Sequence, residues 1–297
     1  MSNTELLNQQ ELSSLRSNGY LVVRKALSSE EVQSCRAAIG ELSEDSALRK
    51  LPYRGNAGNA RDISIINALT AFPEFMPLVD NARIFGVVLA AMGPYIHVVG
   101  AEILIRFPHP QPLLRMHTDG GPSLREILPQ ENSNWLALKC QFFLTDCLEL
   151  NRANFIVVPG SHVNRFPISA EEVDKVQGQQ LMVNAGDAVL FPWSLWHGVG
   201  PHLGLISRQS LIVKYAQRWA RPQDDAIVNL QAIKTALSPR QTTLLMPLDK
   251  HLNADLGSYK WMSSDYIDVM YGENFSTVAE KQYYKDIVNF GTDYYKE

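Results

Sequence analysis

Two histidines and one aspartate in this sequence have the residue types and the spacing of a metal-binding group. His117 and Asp119 are two residues apart in a segment with a strand pattern, so their side chains lie on one face. His197 follows the apolar run 188–192 and lies at a predicted strand end. Two histidines with one carboxylate form the facial triad of non-haem iron oxygenases, which leaves coordination positions open. We therefore predict that His117, Asp119 and His197 bind Fe(II).

Arg208 adds a second, independent signal to this group. A histidine two residues before an aspartate occurs by chance in about one of three sequences of this length and composition, so the pair alone is weak evidence. Arg208 begins the next apolar strand after His197. A keto-acid cosubstrate and O2 fit the open positions of Fe(II), and a guanidinium binds the far carboxylate of such an acid with two hydrogen bonds. We predict this role for Arg208, with a surface ion pair as the alternative.

A predicted strand over 135–144 supplies further candidates. Its alternation places Trp135, Lys139 and Gln141 on one face and an apolar series on the other. Lys139 and Gln141 either point into the barrel, where they contact the cosubstrate or other residues, or lie on a solvated face. Arg115 shares a face with His117 and either reaches substrate or cosubstrate or pairs with an acid. His162 is expected to brace a loop.

The elements that must position these residues are mostly strands. Eight short apolar segments follow residue 94 and are separated by Pro, Gly and Asn turns. Helices precede them: one ends at Asn18-Gly19, one opens with the capping box of Ser28 and Glu31, and one covers about 78–92. Residues 48–75 are predicted to be a long loop. The predicted strands are 95–99, 101–107, 114–118, 135–144, 155–158, 180–183, 188–191 and 207–215.

This order of elements predicts a mainly β protein with helices (α+β). The expected architecture is a double-stranded β-helix, the cupin-like jelly roll, with an N-terminal helical layer. A single domain over 1–297 is expected, with the jelly-roll core at about 95–215. A tyrosine-rich, helical C-terminal extension is expected at about 221–297.

Composition excludes several classes of partner. The net charge is -4 and the basic residues are scattered, which argues against nucleic acid and anionic membrane as partners. No apolar run approaches the roughly 20 residues of a membrane helix, and the N-terminus lacks a signal-peptide pattern. The three cysteines are irregularly spaced, as in reduced proteins. A cytoplasmic protein with a small-molecule substrate is expected, and a homodimer is left open.

Taken in order along the chain, several motifs resemble those of the phytanoyl-CoA dioxygenase family. The resemblance covers about residues 10 to 215, and the ordered set is specific although each motif alone is not. The motifs are the segments 18–23, 27–32 and 157–162, the pair His117 and Asp119, the pair Gly186 and Asp187, and His197 with Arg208.

The resemblance implies roles for individual residues. His117, Asp119 and His197 would bind iron, and Arg208 would bind the C5 carboxylate of 2-oxoglutarate. Trp135, sixteen residues after Asp119, would line the cosubstrate pocket. Two departures from the family pattern, at 151–154 and at 200–202, leave the iron ligands unchanged. Halogenating relatives replace the aspartate by Gly or Ala, so the aspartate retained here favours oxygenation.

The resulting hypothesis is an Fe(II)- and 2-oxoglutarate-dependent dioxygenase, an oxidoreductase that uses O2. It would hydroxylate or otherwise oxidise a C–H bond of a small organic substrate, expected to be a specialised metabolite, and release succinate and CO2. One alternative is a non-catalytic, cupin-like protein that binds a metal or small ligand. Another is the same iron chemistry ending in desaturation, cyclisation or endoperoxide formation.

Overall fold

A computed structural model of the chain describes its helical and strand elements. The described residues are 9–40, 54–55, 62–66, 68–121, 124, 126–130, 133–221, 237–245, 252–253, 258–259, 264–272 and 281–287. The α-helices are α1 (Gln9–Asn18), α2 (Ser29–Ile39), α3 (Ala68–Ala71), α4 (Phe85–Met92), α5 (Ala170–Asp174), α6 (Pro239–Leu245), α7 (Ser264–Tyr271) and α8 (281–287). Two 3-10 helices cover Pro73–Asp80 and Ser161–Val163.

The strands form two main antiparallel sheets. In chain order they are β1 (Leu21–Val23), β2 (Arg54–Gly55), β3 (Ile63–Ile66), β4 (Ile96–Arg106), β5 (Leu114–His117), β6 (Ala137–Phe143), β7 (Phe155–Val157), β8 (Gln179–Gln180), β9 (Ala188–Pro192), β10 (His197–Val199), β11 (Arg208–Gln217), β12 (Leu252–Asn253) and β13 (Ser258–Tyr259). The large sheet has the order β1-β9-β6-β11-β4-β3-β2, the small sheet has the order β5-β10-β7-β8, and β12 pairs with β13. This double-sheet arrangement is the predicted jelly roll.

Alternation along the central strands separates two hydrophobic cores. Leu211, Val213 and Tyr215 of β11 belong to the larger core, which also contains the apolar side chains of α2 and α4. Phe143 of β6 and Val157 of β7 belong to the smaller core, which lies between the two sheets. The other face of β11 therefore points between the sheets, toward the metal-binding candidates.

The N-terminal helices begin and end at the residues that the sequence predicts. Ser28 accepts a hydrogen bond from the backbone N–H of Glu31, whose carboxylate accepts one from the backbone N–H of Ser28, so the capping box is formed. Gly19 has φ +75°, and a Cβ there would lie 2.4 Å from the His162 ring. His162 Nε2 is 2.9 Å from the carbonyl oxygen of Arg16, so this histidine braces the end of α1, as predicted.

Other boundaries differ from the sequence predictions. The two strands expected over 95–107 are one strand, β4, with a register irregularity opposite Lys214 and Tyr215. Of the helix expected over 78–92, only Phe85–Met92 is α-helical: residues 78–80 end the 3-10 helix Pro73–Asp80, and the backbone at Asn81 (φ -47°, ψ 128°) is not helical. The loop expected over 48–75 contains the edge strand β2 and the strand β3, which pairs with β2 and β4, whereas residues 41–53, 56–61 and 67 lie outside the described part.

The C-terminal part contributes to the larger core where it is described. Leu244 and Leu245 of α6 and Ile267 and Tyr271 of α7 are buried in that cluster. The described part of the C-terminal extension is helical at 239–245, 264–271 and 281–287, as predicted, and also contains the paired strands β12 and β13.

Among the described helices, none by itself has the length and apolarity needed to cross a bilayer. Only the bent pair formed by 74–80 and 85–92, with an angle of 46° between its members, passes a length-and-composition test.

Asp187→Asn is expected to destabilise the fold by about 2 kcal/mol at pH 7, since charge-assisted hydrogen bonds are lost from a buried carboxylate. Asp187 accepts hydrogen bonds from the backbone N–H groups of Asn184 (2.8 Å) and Lys25 (3.0 Å) and pairs with Arg24 at 2.6 Å. Burial would raise the pKa of Asp187, but these donors hold it below its ordinary value. The exposed Asp174→Asn is the matched control.

Because the folded-state pKa of Asp187 is lowered, its stabilisation is complete above the unfolded-state value near 3.8 and declines as the pH falls below it. The wild type and Asp187→Asn should therefore converge in stability below about pH 4. Urea denaturation at pH 7 and at pH 3.5 measures both quantities. A stability difference that is the same at both pH values contradicts this account.

Candidate metal centre and cosubstrate pocket

The structure brings His117, Asp119 and His197 together at the edge of the small sheet. One ligand atom from each of them lies within 4.8 Å of those of the others. His197 Nε2 is 3.6 Å from Asp119 Oδ2, and His117 Nε2 is 4.0 Å from Asp119 Oδ1. The two imidazole rings are 4.2 Å apart between centroids. These atoms are close enough to coordinate a single metal ion.

Strand pairing produces this arrangement. β10 pairs with both β5 and β7, and His197 is the Cα partner of His117 on one side and of Val157 on the other. Gly198 permits the close approach of β5, since a Cβ there would lie 2.9 Å from the carbonyl oxygen of Leu114. The backbone N–H of Asp119 donates to the carbonyl oxygen of Trp193 at 2.8 Å, which fixes the aspartate after β5 ends.

Backbone carbonyls select the tautomer of both histidines. His117 Nδ1 is 2.9 Å from the carbonyl oxygen of Arg115, and His197 Nδ1 is 2.8 Å from that of Leu195. A carbonyl oxygen only accepts, so each Nδ1 carries the proton and each Nε2 presents a lone pair. Burial lowers the pKa of His197 to about 3, which keeps this imidazole neutral at physiological pH. Neutral imidazoles are the form that metals bind.

Asp119 is held as a carboxylate with one oxygen available. Burial would raise its pKa, but Lys139, whose ammonium lies 2.6 Å from Oδ1, and the two histidines hold the pKa well below its ordinary value. Oδ2 is buried and has no hydrogen-bond partner among the described residues. A buried carboxylate oxygen without a donor is costly unless it binds a cation. The donor set therefore fits a divalent metal.

Arg208 is buried between the sheets, with one nitrogen not bonded to the protein. It is 2 % exposed. Its Nε donates to the carbonyl oxygen of Ala153 at 3.2 Å, and its Nη1 donates to Ser210 Oγ at 2.6 Å. Its Nη2 has no hydrogen-bond partner in the described part of the chain. Burial lowers the pKa of Arg208 to about 10, so the group remains charged at neutral pH.

Strand register connects Arg208 to the metal-binding group. Phe143 on β6 lies 5.4 Å beneath the Arg208 guanidinium, and Lys139 on the same face of β6 pairs with Asp119. Gln141, between them, donates to Ser210 Oγ at 2.9 Å. One wall of the pocket therefore extends from the guanidinium to the metal-binding group. Lys139 and Gln141 point between the sheets. Of the two orientations predicted for this face, into the barrel or toward solvent, the structure contains the first.

Two other predicted site residues lie elsewhere. The Trp135 ring is in the larger core, 5.9 Å from the His162 ring, because β6 begins only at Ala137 and the strand alternation does not extend back to Trp135. Arg115 forms an ion pair with Asp174 of α5, and both side chains are mostly exposed. Arg115 was predicted either to reach substrate or cosubstrate or to pair with an acid, and the structure contains the ion pair.

The structure adds polar residues that the sequence reasoning missed. Ser210 bridges Arg208 and Gln141, while Glu102 and Lys214 pair at 3.1 Å on the same pocket wall. The sequence feature that could have identified them is the presence of polar residues at alternate positions of β4 and β11, which are otherwise apolar. His202 is buried, with 3 % exposure, and its Nε2 is 2.8 Å from the carbonyl oxygen of Ile206.

Solved structures with the same fold bind a metal and 2-oxoglutarate. HygX from Streptomyces hygroscopicus, solved with nickel and 2-oxoglutarate, matches 73 % of this chain and 89 % of its own with a TM-score of 0.61 and 19 % identity. The non-heme alpha-ketoglutarate-dependent carbocyclase SnoK from nogalamycin biosynthesis matches 80 % and 94 %, with a TM-score of 0.58 and 23 % identity. The epimerase SnoN, solved with Fe3+, alpha ketoglutarate and nogalamycin RO, matches 72 % and 86 %, with a TM-score of 0.56 and 18 % identity. Among curated protein sequences, none matches this chain significantly.

The fold and the donor set define a non-haem iron, 2-oxoglutarate-dependent oxygenase. The family model of phytanoyl-CoA dioxygenase matches residues 15–210, and the chain belongs to that family. The predictions of the family, the jelly-roll fold, the enzyme class and the cofactors are confirmed.

Asp119→Ala is expected to lower the affinity for Co(II) or Ni(II) by more than about a hundredfold, because loss of a supporting partner alone costs 10- to 100-fold. The exposed Asp174→Ala is the control and should leave this affinity unchanged. Isothermal titration calorimetry of the protein without metal measures both constants. Wild-type affinity in Asp119→Ala would place the metal elsewhere.

Proposed function

We propose that His117, Asp119 and His197 bind Fe(II) and that Arg208 binds the C5 carboxylate of 2-oxoglutarate. The enzyme then oxidises a C–H bond of a small organic substrate, with a specialised metabolite as the substrate class. Bound Fe(II) supplies the oxidising chemistry, in which O2 and 2-oxoglutarate are consumed and succinate and CO2 are released. The residues of the chain hold the metal, orient the cosubstrate and exclude water.

The buried guanidinium of Arg208 carries the assignment of the cosubstrate. Arg208 is the Cα partner of Arg106 on the neighbouring strand, and Asp62 pairs with Arg106 at 2.9 Å. Two buried arginines thus lie beside one carboxylate. A buried cation is stable only when an anion or enough acceptors surround it. The planar fork of Arg208 suits a carboxylate, which supports a dicarboxylic keto acid at this end of the pocket.

Gln141 and Ser210 support the same assignment by holding the guanidinium in place. Ser210 Oγ receives hydrogen bonds from both Arg208 and Gln141, so the three side chains form one buried network. A network of this kind fixes the fork before the cosubstrate arrives, which reduces the ordering cost of binding. Gln141 is therefore proposed as a residue that positions Arg208.

The substrate class is supported by what the structural neighbours bind or make. SnoK is a carbocyclase of nogalamycin biosynthesis, SnoN has been solved with nogalamycin RO, and HygX with hygromycin B. Because the sequence identity of these neighbours is low, the comparison supports a shared fold but does not identify the substrate. Hydroxylation is the simplest outcome, and desaturation, cyclisation and endoperoxide formation depend on the substrate pose above the same ligands.

We further propose a single domain over 1–297, a cytoplasmic location and no nucleic-acid or membrane partner. These proposals rest on the sequence alone. The homodimer stays a prediction.

A succinate-release screen tests the proposed function. The Fe(II)-loaded enzyme is incubated with 2-oxoglutarate, O2 and candidate substrates of several classes, and the product mass is measured. Succinate formed in proportion to a product that gained one oxygen atom, or lost two hydrogens, supports the assignment. A protein that binds metal but releases no succinate, with or without substrate, supports the non-catalytic alternative instead.

Arg208→Met is expected to raise the Kd for 2-oxoglutarate by about a hundredfold, because a charged hydrogen-bonding partner of the carboxylate is lost. The affinity for Ni(II) should stay within about twofold of the wild type, since Arg208 is not a ligand. Arg165→Met, which breaks an exposed ion pair with Glu126, is the matched control. Calorimetry on the Ni(II)-loaded protein measures the cosubstrate affinity, and an unchanged value would remove Arg208 from the cosubstrate site.

A further inference from the structure

Two lysines face each other on the pocket wall at the end next to the metal-binding group. Lys139 on β6 and Lys214 on β11 are Cα partners. By strand alternation, Lys214 shares its face with Ser210 and Arg208, which point between the sheets. The side chains of Lys139 and Lys214 are 20 % and 14 % exposed, so neither is fully buried between the sheets.

Among the described residues, each lysine forms an ion pair with one carboxylate. Lys139 lies 2.6 Å from Asp119 Oδ1, and Lys214 lies 3.1 Å from Glu102 Oε2. Glu102 also accepts a hydrogen bond from Ser64. Burial would raise the pKa of Glu102, but Lys214, Ser64 and Lys139 together lower it, so the group is ionised at neutral pH. Each ammonium carries three N–H donors, and these contacts leave donors available to a third group.

The packing of the sheet does not require this pair. Like charges directly opposite each other on neighbouring strands are destabilising, and two apolar side chains would pack there at lower cost. The pair is tolerated because Glu102 and Asp119 lie beside it. When a divalent metal is bound, the charge of Asp119 is shared with the metal. Within the described part of the chain, Glu102 is then the one other carboxylate paired with the two lysines, and this end of the pocket carries excess positive charge.

The positions along β6 and β11 separate this pair from the cosubstrate clamp. Arg208 lies six residues from Lys214 on β11, with Ser210 and Ile212 between them on the same face. The lysine pair is therefore at the opposite end of the pocket wall from the buried guanidinium, next to the metal-binding group. A cosubstrate held by Arg208 leaves this end to the molecule that is oxidised.

We propose that Lys139 and Lys214 form a subsite for an anionic oxygen group of the primary substrate, either a carboxylate or a phosphate, and so place a substrate C–H bond over the metal. This inference rests on the proposed function, because the metal and the cosubstrate define the two ends of the pocket. It assigns Lys139 to the substrate rather than to the cosubstrate. Lys139 also positions Asp119 through its contact with Oδ1.

Calorimetry with matched probes tests the subsite. The protein is loaded with Ni(II) and saturating 2-oxoglutarate and titrated with benzoate, phenyl phosphate or neutral benzamide. At least one anion is expected to bind about tenfold more tightly than benzamide, and the stronger of the two identifies the group. Lys214→Met should remove this preference, since one charge-assisted hydrogen bond corresponds to about tenfold or more.

Three further variants keep the test interpretable. Lys214→Met leaves Glu102 buried without its partner, so the double variant Glu102→Gln with Lys214→Met removes both charges together and should lose the preference equally. Lys214→Arg should retain the preference because the cation is preserved. Lys175→Met removes one exposed positive charge, paired with Glu171, and should bind like the wild type.

The possible results distinguish failure of the proposed subsite from failure of the proposed function on which it rests. Failure of the wild type to bind Ni(II) and 2-oxoglutarate contradicts the proposed function itself. A loaded protein that binds benzamide as well as the anions, or an undiminished preference in both Lys214 variants that lack the cation, overturns the subsite alone. Anion binding that disappears at saturating 2-oxoglutarate also overturns it, because the anion then occupies the Arg208 end.

Discussion

The pairing of β10 with β5 is the constraint on which the rest of the site depends. It makes His197 and His117 direct neighbours, and a shift of one residue would turn one imidazole to the opposite face. Gly198 allows the two strands to approach, and β7 holds β10 from its other side. Each Nδ1 atom donates to the carbonyl two residues earlier in the chain, so these local hydrogen bonds decide which nitrogens are available to a metal.

Charge between the sheets follows from this arrangement. A jelly roll of this size fills much of its interior with apolar side chains, here the smaller core around Phe143 and Val157. The rest of the inner wall carries ionised residues, each of which needs a partner in a medium of low polarity. Asp62 pairs with Arg106, whereas Asp119 Oδ2 and Arg208 Nη2 have no hydrogen-bond partner among the described residues. A metal bound at Asp119 and an anion bound at Arg208 would thus supply charge partners for these two residues.

The helix-packed face of the large sheet explains how the fold tolerates charged residues between the sheets. Lys139, Gln141, Arg208 and Ser210 lie on strands of the large sheet whose opposite face is packed against the helices, where Leu211, Val213 and Tyr215 belong to one extended core. That burial stabilises the large sheet independently of the pocket. The turn at Asp187 fastens the N-terminal layer to this sheet, and the contact of His162 with Arg16 fastens α1 to the segment that follows β7. The pocket can therefore keep costly charges without loss of the fold.

The sequence by itself predicted the jelly roll, the capped helix α2, and the residues proposed here as iron ligands and as the cosubstrate clamp, because alternation, capping and turn residues act over a few positions. Tertiary structure alone decided the rest. Lys139 is next to Asp119, and Lys214 is opposite Lys139, only because distant strands pair in one register. The same dependence placed Trp135 in the larger core, since where a strand begins is set by its neighbours and not by its own residues.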